Sequence, residues 1–124
     1  MAKRVLLVDD SRVVRIAMGN AFKSAGFEVC GEAEDGAKGV ERAQQLRPDL
    51  IVLDLSMPVM DGLQAGRVLR DTMPEVPIII FTLYATNQLK EEASALGMSV
   101  VSKQSETDDL INTAYALVSP DKKS

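Results

Sequence analysis

Five short apolar runs divide the chain: Arg4–Val8, Glu28–Ala33, Leu50–Leu53, residues 76–81 and Ser99–Ser102. They are rich in Val, Ile and Leu, and the first, third and fourth are almost continuously apolar. A strand that is apolar at every position is buried on both faces, as in a parallel sheet. The segments between the runs have helical spacing. Residues 11–25 carry Val13, Val14, Ala17, Met18 and Ala21 and stop at Gly26. Residues 37–46 carry Val40, Ala43 and Leu46 and stop before Pro48. Gly62–Thr72 carries Leu63, Gly66 and Leu69 ahead of Pro74, and residues 85–96 carry Leu89, Ala93 and Leu96 ahead of Gly97. Gly just past a helix end, with Pro soon after, is the expected stop. The last helix opens on Ser105-Glu106-Thr107-Asp108, a capping-box pattern, and aligns Leu110, Ile111, Ala114, Leu117 and Val118. Strand then helix, five times over with short connections, predicts an α/β fold with helices on both faces of one parallel sheet.

The 124 residues fit one domain, read as residues 1–119, with a disordered polar tail over 120–124. A chain of this length buries a real core without staples. The net charge of −4 and the scattered basic residues, Arg15 among them, argue against a nucleic-acid surface. The absence of histidine excludes Ser-His-Asp and Cys-His catalysis and argues against zinc. The single cysteine, Cys30, rules out an internal disulfide and reads as a buried, inert thiol. No signal peptide or membrane span is evident, so a cytoplasmic location is expected.

In sheets of this kind ligands bind where the strands end at their carboxyl side. Run one ends in Asp9-Asp10, run three in Asp54, run four in Thr82 and run five in Lys103. Three clustered carboxylates repel one another unless a cation joins them. Oxygen ligands without histidine or thiolate favour Mg²⁺ or Mn²⁺, which readily share a site with a phosphate. Lys103 adds a second positive charge, and Thr82 offers a hydroxyl to a phosphate oxygen. Phosphoryl transfer needs mainly positioning and charge neutralisation, and a carboxylate nucleophile yields an aspartyl phosphate. Taken singly, each feature has a plainer reading. Asp9-Asp10 can favour a helix N-terminus, Thr82 can be a strand-end hydroxyl, and Lys103 can be solvated. Asp61-Gly62 reads as a turn and helix start, Pro58 as shaping the loop after Asp54, and Glu32, Glu34 and Asp35 as a solvated acidic face.

The set Val8-Asp9-Asp10-Ser11, Asp54-Leu55-Ser56-Met57-Pro58-Val59-Met60-Asp61-Gly62, Thr82 and Lys103 resembles the receiver domain of response regulators in two-component systems. The resemblance runs from Lys3 to Val118. It implies a flavodoxin-like (βα)5 doubly wound fold with strand order 2-1-3-4-5. It implies Asp54 as the phosphorylated residue, with Thr82 and Lys103 contacting the phosphoryl group. It implies Mg²⁺ held by Asp10, Asp54 and the backbone carbonyl of Ser56, with Asp9 acting through a bound water. The implied donor is a phosphohistidine of a histidine kinase or phosphotransfer protein. The implied output is a switch in binding to a downstream protein or to the chain's own output domain, with homodimerisation as a further outcome. The face built by helix 4, strand 5 and helix 5 would carry it, here with Leu89, Ala93, Val100, Ile111 and Tyr115.

The chain departs from the family at three positions. Gln104 follows Lys103 where proline is usual. A cis bond before a non-proline residue costs about 2.5–4 kcal/mol, so a trans peptide is expected and the seat of Lys103 is left open. Val100 stands where the family often has an aromatic switch residue, and Tyr84 offers a substitute ring. Leu83 follows Thr82 where a small residue is preferred, which crowds the site. Two further functions compete: a Mg²⁺-dependent phosphatase using Asp54 as a transient nucleophile, and a degenerate receiver acting as a phosphorylation-independent scaffold. The length argues against an enzyme, since it leaves no cap domain. The segment 26–33 resembles receivers attached to helix-turn-helix output domains, so a stand-alone chain and an excised receiver are both open.

Overall fold

The computed structural model describes residues 2–105 and 107–118; the expected tail over 120–124 lies outside them. Ten elements alternate: β1 (Arg4–Val8), α1 (Arg12–Ser24), β2 (Glu28–Ala33), α2 (Gly36–Leu46), β3 (Leu50–Leu53), α3 (Gly62–Thr72), β4 (Ile78–Thr82), α4 (Asn87–Ala95), β5 (Ser99–Ser102) and α5 (Thr107–Leu117). The strands form one parallel sheet in the order β2-β1-β3-β4-β5, as the resemblance implied.

Successive side chains of a strand point to opposite faces, so each continuous apolar run feeds two cores. Leu6, Val8, Ile51, Leu53, Ile78 and Ile80 join Ala43, Ala65, Leu69, Leu89 and Ala93 beneath α2, α3 and α4. Val5, Leu7, Leu50, Val52, Ile79 and Phe81 join Met18, Phe22, Leu110 and Ala114 beneath α1 and α5. Full burial of a Leu, Ile or Phe side chain contributes about 1.5–3 kcal/mol relative to exposure. These central strands therefore supply much of what opposes chain entropy.

Several local expectations change in the folded chain. The apolar face of α1 is Val14, Met18 and Phe22, whereas Val13 is 77% exposed and Ile16 and Ala17 are also exposed. The helix is apolar on more than one side, and only the sheet decides which side it buries. Strand β4 begins at Ile78, not at residue 76. Val76 is buried ahead of Pro77, whose carbonyl accepts from the Ile51 amide. Helix α4 begins at Asn87, capped by Thr86. Helix α5 begins at Thr107, beyond the expected Ser105 cap, and Glu106 lies outside the described residues. Asp35 is buried and accepts from the Lys38 amide as the N-cap of α2, so it is not part of a solvated face. Glu34 and Glu32 remain exposed, paired with Lys38 and Arg15. Of the expected docking face, Leu89 and Ala93 are core, Val100 and Ile111 are half-buried, and Tyr115 is exposed. Cys30 is half-buried, and the strand register slips there, with Val5 opposite Val29 and Leu6 opposite Gly31. Burial pushes its thiol pKa up, which disfavours the nucleophilic thiolate. Among the described residues, no helix is long and apolar enough to cross a membrane.

Candidate functional site

The parallel register creates the site. Val8 of β1 lies beside Leu53 of β3, so the next residues, Asp9 and Asp54, emerge together at the carboxyl edge. The Asp54 amide donates to the Val8 carbonyl at 2.8 Å and the Asp9 amide to the Ala33 carbonyl at 3.0 Å, carrying the ladders one residue past the strands. Carboxylate oxygens of Asp9, Asp10 and Asp54 all lie within 4.8 Å of one another. Asp9 and Asp54 are buried, and Asp10 is exposed.

The three carboxylates are not equivalent. Both oxygens of Asp9 are already engaged: Oδ1 accepts from the Ser11 amide at 2.9 Å and Oδ2 from Lys103 Nζ at 2.8 Å. Asp54 has one neighbouring cation, Lys103, with Nζ 3.3 Å from Oδ1. Asp10 takes part in no hydrogen bond or ion pair among the described residues, and neither does the Ser56 carbonyl. Burial raises the Asp54 pKa above the ordinary carboxylate value, and the nearby charge of Asp9 adds to this; Lys103 opposes it. For Lys103, burial works to lower the ammonium pKa, but the hydrogen bond to Asp9 and the charges of Asp9 and Asp54 outweigh it and the pKa is raised. The site thus holds more negative charge than one lysine neutralises. Its donors are all oxygens, which fits a hard divalent cation such as Mg²⁺.

Lys103 reaches this position with every described peptide bond trans, so Gln104 does not displace it from the acid pair. Its amide donates to the Thr82 carbonyl at 2.8 Å, and its ammonium nitrogen lies over the Phe81 ring, 5.9 Å from the centroid. Thr82 sits deeper than expected. It is fully buried as the last residue of β4, and its hydroxyl accepts from the Tyr84 amide at 3.1 Å. The open cleft of about 540 Å³ above Asp54 is lined by the three aspartates, Ser56 and Lys103, with exposed Leu83 and Tyr84 at its rim. Leu83 therefore borders the entrance, as its bulk suggested.

Two supporting residues escaped the sequence reading. Gly62 is packed so closely under the Asp54 carbonyl that a methyl group there would overlap it, and its amide ties the loop back to the Leu55 carbonyl at 2.8 Å. Asp61 starts α3 through a capping box with Gln64, as its turn pattern foretold. In the loop between Asp54 and Asp61, Val59, 82% exposed, adopts φ 70° while the Met60 amide donates to the Pro58 carbonyl at 2.7 Å. Arg15 is the other: its guanidinium donates to the Asp9 carbonyl at 2.6 Å. Its one available signal was its place one turn into the helix that follows the acid pair.

Comparison with known proteins agrees with this geometry. The family model of the response regulator receiver domain matches residues 5–115. Chemotaxis protein CheY of Thermotoga maritima is 35% identical over 97 residues, 78% of this chain and 81% of that protein. The protein-glutamate methylesterase/protein-glutamine glutaminase 1 of Methanosarcina acetivorans is 38% identical over 114 residues, 90% of this chain. This chain spans about a third of such methylesterases, 32% of that one and 34% of its Archaeoglobus fulgidus counterpart. The crystal structure of Vibrio cholerae chemotaxis protein CheY4 superposes with a TM-score of 0.86 at 30% identity, covering 95% of this chain and all of that one. A chain with this fold, this rim of residues and a family match over nearly its whole length belongs to the response-regulator receiver domains of two-component signalling.

Proposed function

We propose that this receiver accepts a phosphoryl group on the Asp54 carboxylate from a phosphohistidine of a histidine kinase or phosphotransfer protein, and that the modification switches its binding to a partner. One observation carries the reading: Asp54 lies at the floor of an open cleft, with one cation beside it and two further carboxylates within 4.8 Å. An Asp54 oxygen attacks phosphorus, the P–N bond breaks, and the electron pair leaves on the imidazole. Mg²⁺ would be held by Asp10, Asp54 and the Ser56 carbonyl, and by Asp9 through water. When bound, it neutralises the phosphoryl oxygens against an anionic nucleophile. Asp9, with each oxygen already holding a partner, suits a role through water, and the unengaged Asp10 suits direct ligation.

Lys103 stands beside Asp54 and is positioned to contact the incoming phosphoryl group. Thr82 must turn its hydroxyl away from Tyr84 to do so. That movement begins on β4 and reaches β5 through the Thr82 carbonyl, which accepts from the Lys103 amide. The face of α4, β5 and α5 is the surface a downstream protein, an attached output domain or a second copy would read. Its exposed members on α4 are polar apart from Ala95, and α5 adds Tyr115 and Leu117. The chain is a signalling module without turnover of an external substrate, its only chemistry being gain and loss of its own phosphate.

The test is intact mass after treatment with acetyl phosphate and Mg²⁺, for the wild type and Asp54→Asn. The expected result is a phosphate-sized gain in the wild type alone. No gain, or an equal gain in the variant, refutes Asp54 as acceptor.

A further inference from the structure

Arg15 lies one turn into α1, with its guanidinium turned back over the junction between β1 and α1. One nitrogen donates to the Asp9 carbonyl at 2.6 Å, and Nε pairs with Glu32 Oε1 at 2.9 Å. The side chain is only 15% exposed, so this fork is largely shielded. Glu32 belongs to the edge strand β2, opposite Leu7 of β1. One guanidinium therefore ties α1, the edge of the sheet and the backbone of the acid pair together. The Asp9 amide is held separately by the Ala33 carbonyl. Both peptide groups flanking Asp9 are thus fixed, and the second of them leads into Asp10. The Asp10 side chain makes no hydrogen bond among the described residues, so the backbone that carries it is what fixes the base of its carboxylate.

We infer that Arg15 is a positioning residue for the cation site: by fixing the Asp9–Asp10 peptide, it aims the Asp10 carboxylate toward Asp54. This rests on the proposed Mg²⁺ reading of the three aspartates. The role requires arginine's geometry more than its charge. A planar fork can hold a carbonyl and a carboxylate in two set directions, whereas a lysine ammonium is a point charge on a flexible stem. The sign of the effect separates this role from simple electrostatics. A positive charge near a cation site repels the cation, so removing Arg15 would tighten Mg²⁺ binding if charge were all that mattered. Loss of positioning weakens it instead.

The experiment is a MgCl₂ titration of the full chain, followed by backbone amide NMR, for wild type, Arg15→Lys, Arg15→Met and Asp10→Asn. Both Arg15 variants are expected to bind Mg²⁺ about tenfold more weakly, the lower end for loss of an outer-shell partner. Their metal-free melting midpoints should fall by no more than about 8 °C. Unchanged affinity with lowered stability assigns Arg15 a structural role and overturns the inference, as does tighter binding by Arg15→Met. Should the Arg15 variants not fold, Glu32→Asp keeps the charge and shortens the reach. It should weaken binding severalfold, and an unchanged affinity there also overturns the inference. A wild type that responds to Mg²⁺ no differently from Asp10→Asn refutes the site reading itself, and this inference with it.

Discussion

The ammonium of Lys103 lies 2.8 Å from an oxygen of Asp9, a residue 94 positions earlier in the chain. The same nitrogen is 3.3 Å from Asp54. One cation thus bridges the ends of β1, β3 and β5, and both carboxylates it serves are buried. Lys103→Met leaves those carboxylates without it. Removing one partner of a buried ion pair costs about 3–5 kcal/mol. Partial opening to the cleft places the expected loss near the lower figure, read from urea unfolding without Mg²⁺. Unchanged stability would show that the pair is solvated.

The raised pKa of Asp54 makes a pH prediction with a definite sign. The folded chain holds this proton more tightly than the unfolded one, so stability falls as pH rises through the window above the ordinary carboxylate value of 3.8. At neutral pH the ionised, buried Asp54 costs stability. Asp54→Asn should therefore be more stable than the wild type at pH 7, with the advantage vanishing below pH 3.8. Lys103 acts at the other end: its raised pKa contributes stability that is lost as pH climbs beyond the ordinary lysine value of 10.5. Chemical unfolding across pH checks both, and an Asp54→Asn curve parallel to wild type would contradict the first.

Mg²⁺ should stabilise the folded chain by mass action, by about 2.7 kcal/mol at a hundredfold excess over its dissociation constant. Asp10→Asn should abolish this gain. Because Asp10 is exposed and bonded to nothing among the described residues, the metal-free variant should stay within about 0.5 kcal/mol of wild type. Melting with and without Mg²⁺ measures both, and a variant that still gains the full increment would remove Asp10 from the ligand set.

Gly62 and Gly66 offer a matched comparison on one helix. An added methyl at Gly62 meets the Asp54 carbonyl and Leu55 Cα, which are backbone and cannot step aside. At Gly66 it meets the end of the Met98 side chain, which is flexible. Gly62→Ala should cost about 3 kcal/mol and weaken Mg²⁺ binding, the upper range for overpacking. Gly66→Ala should cost about 1 kcal/mol and leave Mg²⁺ binding alone. Equal costs would mean the loop after Asp54 is more yielding than its packing implies.

The sequence by itself determined the order of strands and helices and the chemistry of the rim, because both are local. A run that is apolar at every position must be buried on both faces; Asp9, Asp10, Asp54 and Thr82 are read off as the ends of such runs, and Lys103 as the end of the fifth, only partly apolar one. Which side of α1 turns inward was not local: Val13 and Val14 are equally apolar, and only packing on β1, β2 and α5 half-buries one and leaves the other exposed. The same holds for Asp35, whose capping role depends on where α2 starts, and for Thr82, whose burial depends on the chain beyond β4. Arg15 and Gly62 are the clearest cases. One looks like a scattered surface charge and the other like a turn residue. Their functions exist only when the fold brings an edge-strand glutamate and the Asp54 carbonyl within ångströms of them. Tertiary structure decides such roles because hydrogen bonding and steric overlap act over a few ångströms of space, whatever the separation along the chain.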